Sequence, residues 1–121
     1  PVDVTTEEAA IRYFMSLPEP PTAVFCVSDL LAISAIHGAA DLGLKVGKDI
    51  SIIGFDNITM CEMMLPSVST IEQPCEKLGE MVVRKLIANI TSPAGSKDNR
   101  TYTVEHRVIL RDSTGNAGCI D

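Results

Sequence analysis

Three pairs of adjacent polar residues stand where apolar runs stop: Ser28-Asp29 after Ala23–Val27, Asp56-Asn57 after Ile50–Phe55, and Glu72-Gln73 after Val68–Ile71. Together they offer carboxylate, amide and hydroxyl groups, a mixture that both donates and accepts hydrogen bonds. Such a mixture suits a neutral polyhydroxylated ligand, of which sugars and nucleosides are the natural candidates. The alternative is that Ser28, Asp29, Asp56 and Asn57 only cap helices and turns, as Ser, Asp and Asn commonly do. Asp29 leans to that capping role because it precedes a helix start, whereas Asp56 and Gln73 stand open between the two on type and spacing alone.

Positioning these pairs requires the elements around them. Thr5 with Glu8 forms a capping box, and Ala10, Phe14 and Leu17 then recur at helical spacing until Pro18. Ala23–Val27 reads as a short buried strand, and the helix Leu30–Leu42 is stopped by Gly43. Ile50–Phe55 has almost no polar alternation, as expected of a central parallel strand covered on both faces. A Met-rich segment, Ile58–Leu65, leads to a third strand, Val68–Ile71, and Pro74 then suits the first turn of a helix whose face is Leu78, Val82, Leu86 and Ile90. Thr91–Asn99 reads as a solvent loop, and Tyr102–Glu105 and Arg107–Leu110 as strands. Alternating strands and helices with right-handed crossovers imply an α/β fold: a three-layer parallel sheet with helices on both faces. In such sheets ligands bind beyond the carboxyl ends of the strands, where the three polar pairs fall.

With 121 residues, 45% of them apolar, the expectation is a single α/β lobe over 1–121. A formal charge of -6 gives no footprint for a phosphate backbone, so this piece is not expected to bind DNA itself. No apolar run approaches the roughly 20 residues that span a bilayer, and the start lacks the basic n-region of a signal peptide; no membrane association is expected. Cys26, Cys61, Cys75 and Cys119 form no CxxC pair, so no metal site is expected. They read as free thiols of a reducing, cytoplasmic compartment, with a disulfide as the alternative.

The stretches "PTAVFCVSDLLAISAIHGAADLGLKVGKDISIIGFDN", "PSVSTIEQPCEKLGEMVVRKLI" and "RVILRDSTG" resemble the lactose/galactose repressor (LacI/GalR) family, over roughly Thr6 to Gly115. The resemblance implies a periplasmic-binding-protein-like type I fold in which this chain is the carboxyl-terminal lobe of the effector-binding domain. The amino-terminal lobe and the helix-turn-helix headpiece, through which operator DNA would be bound, are absent from it. It also implies that Asp56 accepts hydrogen bonds from effector hydroxyls and that Gln73 supplies an amide. Ser28 departs from the family, many of whose members carry Asn there, and the departure removes a bidentate amide. Ile33, Ile36, Met63 and Met64 look like the family's dimerisation surface, with core packing as the equal alternative.

The expectation is therefore the effector-sensing part of a bacterial transcriptional regulator, a homodimer that takes a small sugar- or nucleoside-like ligand between two lobes and needs no cofactor. The rival is a periplasmic sugar-binding receptor of a transporter, which shares the fold. An enzyme is not expected. Gly47-Lys48 fails as a phosphate loop because Asp49 occupies the Ser/Thr position, and neither His37 nor His106 has a nucleophile placed near it by sequence.

Overall fold

The computed structural model describes residues 7–92 and 100–116. Thr5 of the expected capping box, most of the Thr91–Asn99 loop and Cys119 lie outside them. The chain divides into two compact units: Pro1–Glu72 with Arg107–Asp121, and Gln73–His106.

The first unit carries a four-stranded sheet in the order β1 (Ala23–Phe25), β2 (Ser51–Asp56), β3 (Ser69–Glu72), β4 (Arg107–Ile109). The first three strands are parallel, as the βα alternation requires, with Phe25 opposite Ile53 and Asp56 opposite Glu72. β4 returns antiparallel to β3, placing Arg107 opposite Glu72. Tyr102–Glu105, expected as a strand, is irregular.

Helix α1 (Glu7–Met15) buries Ile11 and packs on helix α2 (Asp29–Asp41), which in turn lies on β2. α2 starts on the Ser28 side chain, whose Oγ accepts from the Leu31 N–H at 3.4 Å. It ends as a Schellman motif: Leu44 N–H donates to Ala39 O at 3.0 Å and Gly43 N–H to Ala40 O at 2.9 Å. Gly43 takes the left-handed φ of 75° that this ending requires. Ala32, Ile33, Ala35, Ile36 and Ala39 of α2 meet Ile50 and Ile52 of the sheet side in the core. Small residues let the helix approach the strand closely, and the Ile side chains fill the remaining space.

The "RDSTG" tail is a staple across the amino ends of β2 and β3. Ser113 is buried; its Oγ donates to Ile52 O at 2.6 Å and accepts from Ser69 N–H at 2.8 Å, and its carbonyl accepts from Ile52 N–H at 2.8 Å. Asp112 accepts from the Ser67 hydroxyl at 2.6 Å. The amino ends of β2 and β3 are thereby bridged with the buried polar groups of Ser69 and Ser113 satisfied.

The short helix α3 (Met60–Met63) precedes β3. The second unit holds helix α4 (Cys75–Thr91), which begins one residue later than expected, with Pro74 as its cap rather than its first turn. Its Leu78 N–H donates to Pro74 O at 2.9 Å, and Arg84 pairs with Glu80 one turn earlier. None of its residues is buried in this chain.

Candidate functional site

Parallel register brings the carboxyl ends of β1, β2 and β3 to one edge of the first unit. Ser28 follows Phe25 by the same three positions as Asp56 follows Ile53, its partner, and Glu72 stands directly opposite Asp56. Ser28, Asp56, Asn57 and Glu72 therefore share this edge. Gln73 is the first residue of the second unit and is half-buried.

Backbone conformation marks the edge as unusual. Asp56 has φ 115° and Asn57 φ 55°, both in the region that side-chain-bearing residues seldom adopt. Such conformations persist only where the surroundings over-determine them. Asn57 is held at its backbone N–H and at both side-chain polar atoms: its N–H donates to Thr70 Oγ1 at 3.2 Å, its Nδ2 to Glu72 Oε1 at 2.9 Å, and its Oδ1 accepts from Arg111 Nη2 at 2.9 Å. Asp56 is half-buried and is the carboxylate this strained turn presents.

Asp29, expected to lean toward capping its helix, is not the cap; Ser28 is. Asp29 is 1% exposed and occupies the first helical position, inside the Ser28 cap. Its Oδ1 accepts from the Thr70 hydroxyl at 2.5 Å and its Oδ2 from the Ile58 N–H at 2.8 Å. A buried carboxylate must be paired or hydrogen-bonded, and these donors come from β3 and from the loop after β2. Asp29 is thus an internal clamp that seats the Asp56-Asn57 turn. It also hydrogen-bonds Cys61, whose thiol is pushed up to about 12, chiefly by burial and then by this neighbouring carboxylate.

Ile33 and Ile36, left open between a two-fold surface and core packing, are 8% and 2% exposed and belong to the core. Their positions on α2 face β2, so packing of the chain on itself already covers them. Met64 is packed against that core, while Met63 is 78% exposed beside exposed Met60 and Leu65.

Arg111 was not legible as a site residue. Its side chain, 12% exposed, donates to Val68 O at 2.7 Å, to Asn57 Oδ1 at 2.9 Å and to Glu62 Oε1 at 2.9 Å. The only signal was a lone Arg ahead of Asp-Ser-Thr, which names no partner. Among the described residues no group of three or more His, Cys, Asp and Glu could hold a metal ion. No described helix is long and apolar enough to cross a membrane.

A strained turn at the carboxyl edge of a parallel sheet, with a carboxyl-terminal tail stapling the sheet, agrees with the family comparison. Residues 2–114 match the model of the periplasmic binding protein-like domain. The chain belongs to this family.

Relatives of this periplasmic binding protein-like domain are transcriptional repressors. The HTH-type transcriptional repressor PurR of Serratia proteamaculans is 38% identical over 112 residues, 93% of this chain and 32% of that protein. The chain thus spans about a third of the length of the curated relatives it matches. Among solved structures, a LacI family transcriptional regulator from Enterococcus faecium with bound ribose superposes with a TM-score of 0.71 at 30% identity, covering 92% of this chain and 41% of that one. A LacI family regulator from Arthrobacter sp. FB24 in complex with lactose gives 0.72 at 30% identity, covering 89% and 40%.

Proposed function

We propose that this periplasmic binding protein-like domain is the effector-sensing part of a bacterial LacI/GalR-type transcriptional regulator, and that Asp56 is its principal effector contact. The observation that carries the reading is the Asp56-Asn57 turn, two consecutive positive-φ residues at the carboxyl edge of a parallel sheet. Strain of this kind is retained where a side chain must be aimed, and the aimed group here is a carboxylate that accepts from ligand hydroxyls.

Ser28 supplies a hydroxyl at the same edge and Gln73 an amide. The ligand class is a sugar or nucleoside, in keeping with the ribose and lactose held by the similar regulators. The repressor relatives favour a regulator over a transport receptor, and with it a cytoplasmic protein that contacts operator DNA through an HTH segment outside this chain. Helix α4 supports the two-lobe arrangement: Leu78, Val82, Leu86 and Ile90 recur at four-residue steps, an apolar row that suits packing against a further lobe. A homodimer would use the exposed Met60, Met63 and Leu65 rather than Ile33 and Ile36.

Calorimetric titration of the intact regulator with a panel of pentoses, disaccharides and nucleosides tests the reading. One member should bind, and Asp56→Ala should weaken it roughly 10- to 100-fold, as expected for a charge-assisted hydrogen bond of about 1.5–3 kcal/mol. Unchanged affinity in Asp56→Ala would remove Asp56 from the site. These 121 residues alone should bind the same ligand only near the millimolar range, about half the binding free energy of a micromolar sensor.

A further inference from the structure

Glu72 and Arg107 are the residues at which the chain leaves the first unit and re-enters it. They stand directly opposite each other across β3 and β4; Arg107 Nε donates to Glu72 Oε2 at 2.9 Å, and Nη2 forms an ion pair with the same oxygen at 2.7 Å. The other carboxylate oxygen, Oε1, accepts from Asn57 Nδ2 at 2.9 Å. A single planar carboxylate is therefore divided between the chain crossing and the strained turn beside Asp56. Its two oxygens cannot reorient independently, so a rotation that follows the Arg107 guanidinium withdraws Oε1 from Asn57.

Asn57 has no slack with which to absorb that withdrawal. Its Oδ1 is held by Arg111, itself anchored on Val68 O and Glu62, and its N–H by Thr70, which is anchored on Asp29. A left-handed non-glycine residue relaxes toward ordinary backbone once a restraint is lost. We propose that Glu72 is a positioning residue of the candidate effector site: through Asn57 it makes the conformation of the Asp56 turn depend on the Glu72–Arg107 pair at the chain crossing. The inference rests on the reading of Asp56 as the effector contact and deepens it, because the crossing then sets the aim of the group that holds ligand.

The test is amide hydrogen exchange in the intact regulator carrying Arg107→Ala, Arg107→Lys or Glu72→Gln. The reporters are the Asn57 and Ile58 amides, which donate to Thr70 and Asp29; the controls are the Ile52 and Ser69 amides, which donate to Ser113. Arg107→Ala should accelerate exchange at Asn57 and Ile58 at least threefold with the controls unchanged. Arg107→Lys should restore most of the protection, and Glu72→Gln combined with Arg107→Ala should add less than the sum of the two single changes. Acceleration below threefold, or equal acceleration at the controls, overturns the proposal. Exchange that responds while Asp56→Ala leaves ligand affinity unchanged would instead sink the effector reading and leave the positioning intact.

Discussion

Gly54 lies against Asp29 so closely that a methyl group on its Cα would overlap the Asp29 carboxylate and come within 3.0 Å of the Asp29 Cα and 3.2 Å of the Ala32 Cβ. The glycine of "SIIGFD" is thus a consequence of the internal clamp: α2 sits on β2 at this point, and only a residue without a side chain leaves room for the carboxylate between them.

Gly54→Ala should therefore cost about 1–3 kcal/mol through overpacking. Urea unfolding followed by circular dichroism would show a lowered midpoint. A midpoint equal to that of the parent would mean that α2 moves away from the strand without penalty.

Asp29→Ala should be the more damaging change, by about 3 kcal/mol or more, because it strands the Ile58 N–H and the Thr70 hydroxyl in the interior. Asp29→Asn keeps an acceptor for one of the two donors and should recover part of the loss. Thermal melts of the three proteins in parallel would reveal the order; equal melting temperatures for the Ala variant and the parent would contradict the clamp.

Glu72 gives a pH signature. The Asn57 amide, and then the Arg107 guanidinium, hold its carboxyl below the ordinary value of 4.5. A carboxyl depressed in the folded state stabilises fully above its unfolded value, and the contribution drains away as pH falls through the lower folded one. The acid limb of stability in the parent should thus be steeper below pH 4.5 than in Glu72→Gln, which has no carboxyl to protonate. Superimposable acid limbs would show that the network confers no preference for the ionised form.

The thiols should separate by reactivity. Cys75 is exposed, whereas Cys61 is buried with its thiol pushed up to about 12, so at pH 8 it is thiolate in only about one molecule in 10⁴. Brief alkylation followed by peptide mass analysis should find Cys75 modified and Cys61 intact. Rapid labelling of Cys61 in the folded protein would mean that the loop after β2 opens readily.

Local sequence was sufficient for the elements. The alternation-free run at Ile50–Phe55, the Ser28 cap, the Gly43 stop and the four-residue apolar steps of α4 each depend on neighbours a few positions apart, and periodicity reports such relations directly. From them followed the parallel sheet and the placing of Ser28 and Asp56 at its carboxyl edge, because right-handed crossovers leave little choice.

What Asp29, Ile33, Ile36 and Arg111 do was decided only by the tertiary structure. An acid before a helix reads the same whether it caps that helix or bonds to Thr70 on a distant strand, and an apolar helix does not say which of its sides meets β2. Arg111 acquires its meaning from Asn57, Glu62 and Val68, all more than forty residues earlier in the chain. Hydrogen bonds are directional and short, so partners far apart in sequence become known only when the fold has set the distance between them.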